Sequence, residues 1–99
     1  MAQNYTIKDI QRRLEPVFIA NKINTAILFG SYAKGCADEN SDVDIYVDSG
    51  LRGLDFIGLI ENSREALNRK IDMIDAYYVI KGSPVDNEIK TTGVRIYGR

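Results

Sequence analysis

The sequence predicts a small α/β (α+β) domain in which a mixed β-sheet carries helices packed against it. Three observations lead there. The run Ala26-Ile27-Leu28-Phe29 is short, wholly apolar and stopped by Gly30, which suits a strand buried on both faces. Residues 42–47, Asp42-Val43-Asp44-Ile45-Tyr46-Val47, alternate with a period of two, so that Asp42, Asp44 and Tyr46 share one face and the β-branched residues form the other, as core. Two further stretches, around residues 7–18 and 54–68, repeat apolar residues at helical spacing.

The elements follow in order. Thr6 is placed to cap a first helix, with Asp9 three residues on, and Ile7, Ile10, Leu14, Val17 and Phe18 supply its apolar stripe. Pro16 falls inside the pattern and is expected to kink the helix or split it near Leu14-Glu15. Asn21 to Asn24 turn the chain into a strand over Thr25 to Phe29. After the alternating strand, residues 48–53 contain Gly50 and Gly53 and read as a loop. A second helix, Leu54 to Asn68, covers the sheet with Leu54, Phe56, Ile57, Leu59, Ile60, Ala66 and Leu67. Lys70 to Tyr77 reads as a third strand, in which the odd spacing of Asp72 and Asp75 puts them on opposite faces. Ser83 then caps a short helix with Pro84 at its first position, running through Ile89-Lys90, and Val94 to Tyr97 makes a last strand.

Ninety-nine residues, 44% hydrophobic and 27% charged, make one domain, 1–99, with a small core. The formal net charge of -1 provides no general basic field, which disfavours a nucleic acid as direct partner. There is no histidine, which removes Ser-His catalysis and histidine metal sites, and a single cysteine, Cys36, which removes an internal disulfide and fits a reducing compartment. The start, Met1 to Tyr5, lacks a basic segment followed by an apolar one, and no apolar run approaches membrane-spanning length. A cytoplasmic protein is expected, without membrane contact.

The chemistry is expected where the first two strands meet the loop between them. Gly30 lets the backbone approach an anion, and the Ser31 hydroxyl with nearby amides can donate to phosphate oxygens. Asp42 and Asp44 on one strand face repel each other unless a cation lies between them. Magnesium, a hard ion that is held by one or two carboxylates plus substrate phosphates, is that cation. An Asp-x-Asp pair alone is an ordinary solvated strand face, and Gly-Ser after an apolar run is an ordinary turn. Their combination predicts a nucleotide-Mg2+ site. Gly30 and Gly35 have the glycine spacing of a P-loop, but Cys36 and Ala37 stand where that motif needs Lys and Ser or Thr, so a Walker-type ATPase is excluded.

Gly30-Ser31, ten residues, then Asp42-x-Asp44, with Gly35 and Ser41 inside, resembles the signature of the polymerase-beta-type nucleotidyltransferase superfamily. The short chain is similar to its minimal nucleotidyltransferase (MNT) branch, whose members are often paired with HEPN-domain proteins in toxin-antitoxin operons. The resemblance implies a nucleotidyltransferase fold and a third carboxylate from the strand after the second helix, a place that Asp72 matches. It implies catalytic and metal-binding roles for Asp42, Asp44 and Asp72, two Mg2+ ions, and nucleotide contacts from Gly30, Ser31 and Ser41. The implied reaction is AMP transfer from ATP to a tyrosine hydroxyl of a cognate HEPN ribonuclease toxin, with this chain as the antitoxin. A small-molecule nucleotidyltransferase of aminoglycoside type and a non-catalytic antitoxin that masks the toxin are the alternatives. One departure is Tyr32, which stands where many relatives carry arginine.

Overall fold

The computed structural model describes residues 5–98; Met1 to Asn4, read above for a leader segment, lie outside the described residues. Helix α1 (Ile7–Ala20) leads to strand β1 (Thr25–Phe29), a single helical turn α2 (Ser31–Lys34) and strand β2 (Val43–Asp48). Helix α3 (Leu54–Leu67), strand β3 (Ile71–Asp75), a 3-10 turn (Ala76–Tyr78), helix α4 (Pro84–Thr92) and strand β4 (Val94–Tyr97) complete the chain. The four strands form one mixed sheet in the order β3-β2-β1-β4. β1 runs antiparallel to β2 and β4, while β2 and β3 are parallel, as a strand-helix-strand crossover requires.

Helix α1 begins on a complete capping box: Thr6 Oγ1 accepts from the Asp9 amide and Asp9 Oδ2 accepts from the Thr6 amide, both at 3.0 Å. Ile10, Leu14 and Phe18, four residues apart, are fully buried. They pack with Leu59 and Leu67 of α3 onto one sheet face made of Ala26, Leu28, Val43, Ile45, Val47, Ile71 and Ile96. Ser63, buried on the same line of α3, donates to Leu59 O at 2.8 Å, so its own hydroxyl is satisfied within the core.

Pro16 does not split α1. The helix is continuous from Ile7 to Ala20, and Pro16 and Arg12 are both exposed. The carbonyl that loses its partner is therefore that of Arg12, on the side that water reaches. Four other expectations are corrected. β1 is buried on one face only, since Ala26 and Leu28 are covered while Thr25, Ile27 and Phe29 are half-buried. The broad apolar stripe of α3 narrows to Leu59, Ser63 and Leu67, with Leu54 and Ile57 exposed. The last helix extends past Lys90 to Thr92. The third strand stops at Asp75, and Ala76 and Tyr77 belong to the 3-10 turn.

Asp75 ends that strand itself. It is 3% exposed and faces the side opposite Asp72, as the odd spacing requires. Its Oδ2 accepts from the Tyr77 amide at 2.9 Å, bending the backbone out of the sheet, while Oδ1 accepts from the amide and hydroxyl of Ser49. Arg52 Nη1 lies 3.5 Å from Oδ2, and its guanidinium stacks over the Tyr77 ring at 4.0 Å from the centroid. Burial pushes this carboxyl up, but the hydrogen bonds from Ser49 and Tyr77 and the charge of Arg52 outweigh it, so the net shift is downward. One side chain thus ties the β2-α3 loop to the end of β3.

Two stability measurements check these assignments. Pro16→Ala restores an amide donor on an exposed helix face and is expected to raise unfolding stability by about 2 kcal/mol, the helix gain less the stiffness that proline gives the unfolded chain. Asp75→Ala leaves several donors unpaired and is expected to lower it by about 3 kcal/mol in denaturant titrations.

Candidate active site

The sheet register assembles the acids. Asp44, the second residue of β2, is paired across the antiparallel ladder with Phe29, the last residue of β1. Across the parallel ladder its partner is Asp72 of β3. The alternation that buries Val43 and Ile45 turns Asp44 to the opposite face, and Asp42, just before the strand, shares that face by the same period. Two of the three predicted acids are therefore register neighbours and the third is two residues away.

Gly30 follows Phe29 and passes directly over Asp44. Its φ of +74° is a left-handed conformation that glycine adopts freely, and a Cβ there would overlap Asp44 Oδ2. The close approach the structure records at Gly30 is to the Asp44 carboxylate. Ser31 opens α2, whose first amides have no acceptor within so short a helix, and Gly35 closes it at φ +75°. Backbone donors and a serine hydroxyl thus stand next to the carboxylates.

The electrostatics record the crowding. Asp44 is pushed up to about 6, first by burial, then by the charges of Asp72, Asp42 and Glu88, with Lys34 acting in the opposite direction. A group in this position gains from any cation that its neighbours also touch. Among the described residues, no three His, Cys, Asp or Glu side chains form a closed metal-binding cluster. The acids fit an ion that completes its shell with water and phosphate oxygens, which is magnesium's habit.

Other predicted residues have different surroundings. Ser41 is committed to its own loop: its hydroxyl accepts from the Asp38 amide at 2.9 Å and lies 3.3 Å from Asp38 Oδ1, closing the turn that leads into Asp42. Lys34, in the same turn as Ser31, lies 3.5 Å from Glu88 and joins α2 to α4. Tyr32 is buried with its hydroxyl unpartnered and shares a cavity with Tyr5, Thr6 and Ile7, not with the acids. Cys36 is an exposed, free loop residue, as expected.

Sequence reasoning did not single out the wall of the site. Asp44 and Asp72 line a cleft of about 270 Å³ with Phe29, Met73, Ile74 and Val85. The available signal lay in the strand period. Ile74 falls on the same face as Asp72, and Phe29 on the half-covered face of β1, where a solvated face would carry polar residues.

A pH dependence follows from Asp44. Its carboxyl holds a proton to higher pH when folded than when unfolded, so the folded state binds more protons between 3.8 and about 6. Stability of the metal-free protein therefore falls as pH rises through that window and is level from there to neutral pH. Asp9, Asp75 and Asp86 are shifted downward, so their contributions change below it. Thermal unfolding in EDTA at pH values on either side of the window checks this; Asp44→Asn is expected to abolish the fall.

Comparison with known proteins identifies the fold and the family. The family model for polymerase beta nucleotidyltransferases matches residues 12–99. A candidate protein adenylyltransferase of Methanocaldococcus jannaschii is 33% identical over 70 residues, covering 69% of this chain and 75% of that protein. A crystal structure of a toxin-antitoxin with AMP-PNP superposes with a TM-score of 0.77 at 25% identity, over 90% of this chain and 73% of that one. A complex of tri-AMPylated Shewanella oneidensis HEPN toxin with MNT antitoxin contains a chain of the same fold, with a TM-score of 0.71 at 20% identity over 95% of this chain and 74% of that one. The residues that meet at Asp44 are thus set in a known framework, and the chain belongs to the polymerase beta nucleotidyltransferase family.

Proposed function

We propose that this protein transfers AMP from ATP to a tyrosine hydroxyl of a HEPN-domain toxin and thereby acts as its antitoxin in a reducing cytoplasm. The observation that carries the proposal is the register pair Asp44-Asp72 beneath Gly30, with Asp44 pushed up to about 6. The M. jannaschii relative and the toxin-antitoxin structures with AMP-PNP and with an AMPylated toxin support the choice of nucleotide and acceptor.

Each residue has a task in this reading. Asp42, Asp44 and Asp72 would hold magnesium, which when bound neutralises charge on the triphosphate. Gly30 and Ser31 hold the phosphates with backbone and hydroxyl donors. Ser41 sets the position of Asp42 through the turn it closes. The tyrosine oxygen forms a bond to the α phosphorus as the bond from that phosphorus to the bridging oxygen breaks, and pyrophosphate leaves with the electron pair. Asp72, the most exposed of the three acids, takes the proton from the attacking hydroxyl.

Intact mass of the HEPN partner after incubation with this protein, ATP and Mg2+ tests the proposal. Mass added in steps of one AMP is expected, with the rate reduced on the order of 100-fold or more in an Asp42→Asn, Asp44→Asn double variant. A tight complex that silences the partner with no added mass would replace transfer by masking.

A further inference from the structure

We propose that the cleft between Phe29, Ile74 and Val85 is a slot for the aromatic ring of the acceptor, which makes this site selective for phenolic over aliphatic hydroxyls. The proposal rests on the AMP-transfer reading above and adds to it the residues that choose the acceptor.

Size limits the occupant first. The cleft is about 270 Å³, below the roughly 300–1,000 Å³ that whole drug-sized ligands occupy. A whole nucleoside triphosphate must therefore lie mostly outside it, along Gly30 and Ser31. Chemistry then chooses the ring. Of the lining residues Phe29, Ile74 and Val85 are apolar, Met73 packs against the core from the other face of β3, and the remaining two are the carboxylates Asp44 and Asp72. These side chains offer acceptors and no nitrogen or hydroxyl donor, so the several ring nitrogens of a purine would find no side chain to pair with. A phenol carries a single polar atom, and that atom is the nucleophile. With the ring against the apolar wall, the hydroxyl faces the acids, where Asp72 is exposed to receive its proton.

Placement supports the same occupant. The wall is assembled from the end of β1, the middle of β3 and the first turn of α4, so each residue is fixed by a different element. Val85 is 39% exposed, an apolar residue at the mouth of a cleft that otherwise ends in carboxylates. A ring seated beside it removes that apolar surface from water, and an aliphatic hydroxyl of serine size does not. The resulting preference for tyrosine over serine is expected to be on the order of 10- to 100-fold, the range set by a few apolar contacts in a pocket.

The experiment reads binding without transfer. Protein labelled at isoleucine and valine methyls is titrated with N-acetyl-tyrosinamide, N-acetyl-serinamide and AMP in the absence of metal, and the Ile74 and Val85 methyl signals are followed by NMR. N-acetyl-tyrosinamide is expected to shift both, N-acetyl-serinamide to shift neither, and Val85→Ser, on an exposed helix turn, to weaken the tyrosinamide response about tenfold. Larger shifts with AMP than with tyrosinamide would make the cleft a base pocket and overturn the proposal, as would equal shifts with the two amides or none. Because no AMP is transferred, a tyrosinamide response in a protein that fails to modify the HEPN partner would leave the slot standing and reject the acceptor assigned above.

Discussion

The carboxylate of Asp44 fills the volume that any side chain at residue 30 would need, and the geometry of the site depends on that contact. It exists because the β1-β2 register sets Phe29 opposite Asp44, so that Gly30, the residue after β1, must cross over it. The β2-β3 register then sets Asp72 on the other side. Three chain segments meet at one carboxylate without a loop having to find its own position. Val43 and Ile45, fully buried on either side of Asp44, anchor the strand in the core below. The placement of the acids is accordingly as rigid as the sheet, which suits chemistry that depends on positioning.

This arrangement is costly in the folded protein alone, and β3 shows the contrast. Its two aspartates differ by three positions and lie on opposite faces. Asp75 is buried, satisfied by Ser49 and Tyr77 and faced by Arg52, so it strengthens the fold. Asp44 is pushed up first by its own burial, and Asp72 instead joins Asp42 and Glu88 in adding to that, with Lys34 in opposition. A strand optimised for stability would not hold two carboxylates in register, since like charges directly opposite each other destabilise a sheet. Tension of this kind, set into an otherwise satisfied framework, is what a functional site leaves in a fold.

The sequence made part of this legible. The period-two pattern of residues 42–47 was enough to put Asp42 and Asp44 on the open face, and the odd spacing of Asp72 and Asp75 separated their roles. Helix starts were visible because Thr6 and Ser83 are side-chain caps with local partners. Less legible were features decided by surroundings. Pro16 sits inside α1 because the Arg12 carbonyl it leaves unpaired faces water, a matter of how the helix lies and not of its own residues. The end of β3 was misjudged because Tyr77 has a strand-forming side chain, while Asp75 takes its amide into a turn. The wall of the cleft could not be read at all as a unit, since Phe29, Ile74 and Val85 are brought together only by the sheet and the entry to α4.

One consequence of the open face concerns water. Asp72 is exposed and the cleft beside it holds only about 270 Å³, so the described chain does not shut solvent away from the reacting atoms. Transfer to an acceptor, in preference to hydrolysis of ATP, requires that something exclude water once the nucleotide is in place. A free tyrosine would fill the slot and leave its rim wet. A tyrosine carried on a folded partner brings surrounding surface, and apolar side chains stand ready for it nearby in sequence: Val85 at the mouth, with Tyr77, Tyr78 and Ile80 exposed between β3 and α4. The proposed acceptor would then do two jobs at once, supplying the nucleophile and closing the site around it, so that docking of the toxin itself completes the enzyme.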